Sequence, residues 1–532
     1  MIKQLSGFKA LLLAAAFAVA GITNAGAEQV LNRGNGTEPE TLDPHLSTGV
    51  PEANIIYDLF EGLLTRSADG QPVPGIAEKW EISNDGKVYT FHLRKNAKWS
   101  NGDPITSDDF VYSLRRLVDP KTNADYAWFA DPILNAEDIR TGKNTDISQL
   151  GVKTVDPQTL QITLKASAPH FIAMLVHHSL WPVHKATVEK FGAQWTKPGN
   201  MVSSGAYMLT EWTPQSKVVL KKNPNFHDAA NVKIDVVNYF PTENQAEEFK
   251  RYKAGELDIT YDVPMDQISV AQQTMKNEYQ NTPYFGTYYY GINMEKDPLG
   301  KEPTVRKALA LAVDRDVIVK QITKGGQIPA YAFVPPGIPG YEQQNADFAS
   351  MTQAQREEMA KKLFAEAGYG ASKPLKVEIL YNTSDQHKNI AVAIQAMWKK
   401  VLGNIETTLT NQEWKVYLDT RDKKQYQVAR AAWIGDFKDA SNFLDMFRSN
   451  AGQANNIGYN NAKYDELLTK AGVTSDQKER FGLLQQAEKT LISDLPIIPI
   501  YHYTDDHMVN PKIQGWKNDL LGFHLTRYLS KQ

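Results

Sequence analysis

The stretch from Leu418 to Asp439, LDTRDKKQYQVARAAWIGDFKD, holds the residues best spaced to do chemistry. Its centre, Tyr426 to Ile434, is mostly apolar, aromatic and small, with Arg430 its one charge; Asp436 follows six residues later and Arg421 stands nine earlier. The run reads as a buried strand, where an unpaired charge is very costly, so Arg430 needs an anion. Asp436 is not placed to supply it, because along an extended strand at ~3.3 Å per residue the two sit about 20 Å apart. A cation and an anion held apart in this way can grip the two ends of a zwitterion. A short peptide has those ends, and its backbone can pair with the strand between them. The competing reading is a core strand whose arginine meets a carboxylate from elsewhere in the chain, as buried arginines often do. This segment alone leaves both readings open.

Other candidates are weaker. His170, His177, His178 and His184 are spaced 7, 1 and 6, but no HExxH accompanies them and the chain has no cysteine to add a thiolate. They are expected as polar positions on a surface helix, with no metal site. There is no GxSxG and no cysteine nucleophile, which speaks against an exported peptidase, and no cofactor is implied. Glu52 follows Pro51 and falls in the first turn of a helix, where a carboxylate suits the dipole. His387 falls in the first turn of another, where free backbone N–H groups favour an anion, although a plain surface histidine is the ordinary alternative.

The elements that must position these residues alternate between strands and helices. VLNRG near the start reads as a strand, and Ile55, Ile56, Leu59, Phe60 and Leu63 recur at helical spacing. Lys87–Arg94 alternates Tyr89, Phe91 and Leu93 with more polar neighbours, a half-buried strand entered through Asp85-Gly86. Ser107 is placed to cap a helix carrying Phe110, Val111, Leu114 and Leu117. SGAYMLTEW and KVVLKKNP read as strands, Asn244–Ala254 as an amphipathic helix, and PYFGTYYYGIN (283–293) as an aromatic strand with Gly286 as a plausible hinge. A helix is expected over Val305–Val319, another over Lys361–Gly368 closed by Gly368, a buried strand over Leu375–Tyr381, a helix to about Leu402, and a strand over Ile497–Tyr503.

Composition narrows the setting. Lys3 and Lys9, an apolar run from Ala10 to Ile22 and Ala25-Gly26-Ala27 form a secretory signal, with cleavage expected after Ala27. The run is too short to span a membrane comfortably. The absence of cysteine excludes a lipidated terminus and any disulfide. About 500 mature residues predict two or three domains. A net charge of −3, from 58 basic and 61 acidic residues, leaves no footprint for nucleic acid or a membrane surface. The 24 Tyr and 10 Trp suit a pocket for amphipathic ligands, though much of this is ordinary core.

Taken together, ETLDPH (40–45), YDLFEGLL (57–64), the 76–102 stretch, WTKPGN (195–200), GTYYYGIN (286–293), VRKALALAVDRD (305–316), YNTSDQHK (381–388) and NQEWKVYLDTR with VARAAWIGDF (411–437) give the chain a clear resemblance. It resembles the peptide/nickel class of extracytoplasmic solute-binding proteins of ABC importers, and within it the oligopeptide-binding branch and the related murein-peptide binders. The resemblance implies an α/β, two-lobed, three-domain periplasmic binding protein fold with mixed sheets and a hinge. Its domains would be 28–64 with 189–285 and 505–532, then 65–188, then 286–504, with hinge connections near Gly286 and Thr504. It implies a non-enzymatic, monomeric periplasmic receptor for short oligopeptides that serves an inner-membrane permease and its ATPase subunits. Asp436 would take the ligand's α-ammonium. Arg430, Arg421 and His387 would take the α-carboxylate at different ligand lengths. Glu52 would lie along the peptide, with Trp414 and Trp433 lining side-chain pockets and Ala432 and Ile434 on the strand it pairs with. A murein tripeptide or dipeptide is the alternative cargo. Some relatives carry a disulfide where this chain has Gly286 and Ile434.

Overall fold

The computed structural model describes residues 28–370 and 373–532. The expected signal segment, 1–27, lies outside the described residues. Three sheets organise a mixed α/β chain. The first orders its strands Val30–Gly34, Val236–Phe240, Lys217–Lys222 and Tyr207–Thr213, with the first pair parallel and the rest antiparallel. The second is antiparallel, in the order Ala77–Ile82, Val88–Leu93, Thr159–Thr163 and Val152–Asp156. The third has six strands in the order Ile328–Pro329, Ile497–Met508, Tyr279–Ile292, Val428–Ile434, Leu375–Asn382 and Ile405–Gln412. There Leu375–Asn382 runs parallel to both neighbours.

The period-two reading of Val88–Leu93 holds. Tyr89, Phe91 and Leu93 are buried while the residues between them are half-buried, and Gly86 turns the chain with φ +69°. Helix ends differ in detail. Thr106, not Ser107, caps the 107–118 helix, because Thr106 and Asp109 close a reciprocal capping box; the Ser107 hydroxyl instead donates to the Asp156 carbonyl at 2.6 Å. The first helix, Val50–Leu59, stops short of Leu63, whose carbonyl accepts from Gly75 and Ala77 and leads into the Leu64–Arg66 strand. The single helix expected over 305–319 breaks after Leu311. Asp314 caps a new turn through Val317 N–H, and the buried Arg315 guanidinium donates to the carbonyls of Ala310, Val313, Ala330 and Pro499.

The histidine stretch is not a surface helix. Only Phe171–Met174 makes an α-turn, and His177 and His178 are 2 % and 3 % exposed. Phe171, Leu175, Val176, Leu180 and Trp181 around them are core residues, so hydrophobic burial carries the histidines inward with the chain.

Two hydrophobic cores matter for the site. One joins Leu31, Ile55, Ile56, Leu59 and Phe60 with Leu220, Tyr239, Leu525 and Leu529, so the first strand, the first helix and the C-terminal tail share a core. The other runs continuously beneath the second and third sheets. Tyr279–Ile292 and Ile497–Met508 pair antiparallel along most of their length, with a register shift between Pro283 and Thr287. Beyond the shift their far ends continue as a paired ribbon to a third, smaller core of Phe249, Tyr252, Leu257, Val263 and Ile268, which Met508 joins and where Thr260 N–H donates to Met508 O at 3.0 Å. Among the described residues, no helix is long and apolar enough to cross a membrane.

Candidate functional site

The Val428–Ile434 strand is flanked on one side by Tyr279–Ile292 over its whole length, from Val428 opposite Ile292 to Ile434 opposite Gly286. On its other side Leu375–Asn382 pairs only with Val428 and Ala429. The far half of the strand therefore keeps an open edge, and an open edge is a template for another extended chain. Ala432, Trp433 and Ile434 on that half line a cavity of about 320 Å³.

Arg430 stands where the edge opens. It is 8 % exposed and donates to Asn382 Oδ1 at 3.2 Å and to the Tyr503 hydroxyl at 2.9 Å, with its guanidinium 4.8 Å from the Tyr288 ring centre. All three partners are neutral. No carboxylate among the described residues forms an ion pair with it, or with Arg421, which donates to Asn456 Oδ1 at 3.1 Å and lies over Tyr417. Two guanidinium groups thus face the cavity without a direct ion pair to a protein carboxylate, although Asp422 near Arg421 and Asp262 near Arg430 interact with them through charge. His387 lines the same wall, beside Tyr288. Burial, reinforced by Arg430, holds its imidazole pKa well below the usual histidine range, so it is neutral at pH 7 and offers hydrogen bonds rather than charge.

Asp436 marks the other end. Its Oδ2 accepts from Asn442 Nδ2 at 3.0 Å and its Oδ1 lies 3.3 Å from His177 Nε2. Its N–H donates to Asn442 Oδ1, and its carbonyl accepts from Arg66 Nη2 at 2.6 Å. The carboxylate is held from two sides and the backbone on either side of it from two more, and the residue is 8 % exposed. His177, Arg66 and Asn442 were not foreseen from sequence. The first two stand more than 250 residues away in the chain, where no spacing signal reaches.

The aromatic positions line the cavity between these ends. Trp433 donates to Asn442 Oδ1 and stacks with Tyr126 at 6.0 Å. Trp414 stacks on Tyr417 and donates to Glu52 Oε1 at 3.2 Å. Glu52 stands one layer behind the cavity wall, fully buried, with Oε1 also accepting from Glu40 N–H at 2.6 Å. Burial pushes its carboxyl up to about 7 against these donors. At the Arg421 end, burial pushes Asp125 up to about 8, with repulsion from Asp422 adding to it, and pushes Asp422 itself up to about 6.

Residues 71–455 match the family described as bacterial extracellular solute-binding proteins, family 5, middle region. The chain belongs to this family. It is 42 % identical over 518 residues to the periplasmic oligopeptide-binding protein OppA of Salmonella typhimurium, covering 96 % of this chain and 94 % of that one. Among solved structures, Haemophilus influenzae OppA in complex with the peptide RPPGFSPFR superposes with a TM-score of 0.92 at 38 % identity, over 95 % of this chain and 99 % of that one. The murein tripeptide-binding protein MppA of Escherichia coli also scores 0.92, at 39 % identity and the same coverage. Against the structure described as the unliganded open form of MppA the score falls to 0.65, with 95 % and 98 % covered. The family 5 chain described here is therefore in an arrangement far from that open form. The fold is the two-lobed one shared by these proteins, and its relatives are binding proteins rather than enzymes.

Proposed function

We propose that this family 5 protein is the exported, periplasmic substrate-binding component of an ABC peptide importer, holding short oligopeptides with little regard to sequence. The observation that carries the reading is the placing of two arginines that have no direct carboxylate partner, with a fixed aspartate, across an open strand edge. A peptide backbone adds to that edge while Asp436 takes its α-ammonium. Arg430, Arg421 or His387 takes its carboxylate, according to length. Arginine suits the carboxylate because its planar fork makes two parallel bonds. Side chains enter a roomy cavity lined by Trp414 and Trp433, where water adapts to each one.

The same reading divides the chain into the three domains 28–64 with 189–285 and 505–532, 65–188, and 286–504. The hinge falls at the register shift near Gly286 and Thr504, where two paired strands cross from one core to the other. Closure desolvates the end-group pairs and presents the closed form to a permease and its ATPases. The protein works as a monomer, performs no chemistry on its cargo, and loses residues 1–27 on export.

A second reading, a murein-tripeptide receptor, is favoured by one observation. Asp422 puts a carboxylate near Arg421, and Asp125 lines the same cavity with a carboxyl that burial keeps protonated until a cation arrives, a surface suited to a peptide bearing a further ammonium and carboxylate. Calorimetric titration of ligand-stripped protein with tri- to pentapeptides, beside murein tripeptide, separates the two. Binding of murein tripeptide alone assigns the protein to cell-wall peptide recycling, and binding of neither rejects both readings.

A further inference from the structure

Away from the arginines, the same cavity is walled by a second cluster. Asp505 and His507 are two residues apart on the Ile497–Met508 strand, so both project from one face. The C-terminal segment brings His524 against them. Gly522 makes this approach possible: with φ +65° it takes a turn that disfavours a side chain, and a Cβ there would stand 2.6 Å from the Tyr284 ring and 3.2 Å from Asp505 Oδ2. Asp505 Oδ1 lies 2.9 Å from His507 Nε2, and its Oδ2 lies 3.3 Å from His524 Nε2. One donor atom from each of the three residues lies within 4.8 Å of the others.

We infer that Asp505, His507 and His524 form a binding site for a divalent transition-metal ion, with zinc the best match. Two imidazoles and one carboxylate are a donor set that zinc accepts, and in tetrahedral coordination they leave one position open. Small side-chain rotations bring the donors to the spacing of about 3.3 Å that bonds of about 2.0 Å to a tetrahedral ion require. The rings are already oriented. His507 Nδ1 meets the Thr260 carbonyl at 2.9 Å, an outer contact that places the proton on Nδ1 and leaves Nε2 for the ion. His524 is stacked on Trp516 at 3.6 Å, and the same indole meets His507 edge-on at 5.3 Å. The His524 side chain is only 4 % exposed, and its Nδ1 is buried without a hydrogen-bond partner. All three ligands line the cavity, so an ion reaches them through it, and the open position points to that space. Asp262, on the same wall, adds negative charge that favours a cation and offsets the Arg33 guanidinium, which donates to the His524 carbonyl at 2.9 Å. Such an ion fastens the tail of the chain to one of the two strands that cross between the cores.

A proton bridging His507 and Asp505 makes the same apo contacts, so the experiment must tell a metal from a proton. The mature chain, dialysed against chelator and free of peptide, is titrated calorimetrically with zinc chloride at pH 7.5. The expected result is one site per chain, weakened at least about tenfold in Asp505→Asn, His507→Gln and His524→Gln, the loss that even an outer-sphere change produces. His92→Gln, at the half-exposed His92 of the second sheet, retains it. Cobalt(II) substituted into the wild type should show the visible absorption of a four-coordinate ion, which provides a readout should a variant fail the circular-dichroism check of folding. Absence of a stoichiometric site overturns the assignment. So does zinc binding that all three variants leave unchanged, which means an adventitious ion only. Peptide is absent from these titrations, so their failure leaves the peptide reading standing, and the converse also holds.

Discussion

Replacing Asp436 by asparagine removes one negative charge and little else. Most contacts that hold the residue do not depend on that charge: Asn442 Nδ2 still has an oxygen to meet, the Asp436 N–H still donates to Asn442 Oδ1, and Arg66 still grips the backbone carbonyl, so only the contact of Oδ1 with His177 Nε2 is altered. Stability should change by less than about 1 kcal/mol. The loss falls on the ligand. A carboxylate 8 % exposed and enclosed on closure makes its bond to an ammonium in a largely desolvated setting. Removing one partner of such a buried charged pair costs about 2–5 kcal/mol. At about 3 kcal/mol, the affinity for free peptides falls about 100-fold. The assay is a cycle: wild type and variant, each titrated with a tripeptide and with its N-acetylated form. Acetylation removes the ammonium, so the variant should lose little further affinity for the acetylated peptide. Equal binding of free peptide by both proteins, or an equal loss for free and acetylated ligand, would refute the role given to Asp436.

Arg430→Ala should weaken some peptide lengths by about 2–3 kcal/mol and spare others, because Arg421 and His387 stand at different distances along the site; a uniform loss across lengths would contradict shared duty. Arg480→Ala should destabilise the fold by about 3–5 kcal/mol in urea denaturation, since it strands the buried Asp439 carboxylate that Arg480 holds with bonds of 2.7 and 2.8 Å; a loss under about 1 kcal/mol would refute this. Glu52 predicts a pH dependence. Its carboxyl is pushed from 4.5 up to about 7, so between these values the unfolded chain has released a proton that the folded chain keeps. Its contribution to stability is therefore greatest below about pH 4.5, falls as pH rises to about 7, and is level above that, by up to ~3 kcal/mol. Glu52→Gln should flatten this slope in denaturation curves at pH 5 and 7.5, and an unchanged slope would contradict the burial argument.

What the sequence shows of the site, and what it hides, follows from range. Arg430 stood out because a lone charge in an apolar run is a local anomaly, and the structure leaves it with Asn382, Tyr503 and the Tyr288 ring in place of an anion. Period-two burial in Val88–Leu93 and the left-handed glycine turn before it were legible for the same local reason. The histidines were misread because their burial depends on which surfaces meet. His177 meets Asp436 at 3.3 Å on the cavity wall, and nothing in its neighbours announces that. His524 meets Asp505 and His507 only because the tail folds back through Gly522. The helix expected across 305–319 failed for a tertiary reason as well, since Arg315 turns inward to satisfy four carbonyls. Glu52 shows both sides: its place in the first helical turn was readable, whereas its bond to Trp414, 362 residues later, was not.

The most direct test of the central claim is a calorimetric titration of ligand-stripped mature protein with tri- to pentapeptides, followed by mass spectrometry of the recovered ligand. The account predicts one peptide bound per chain, binding lost on N-acetylation, and the ligand returned intact. No binding, binding indifferent to acetylation, or a cleaved ligand would contradict it.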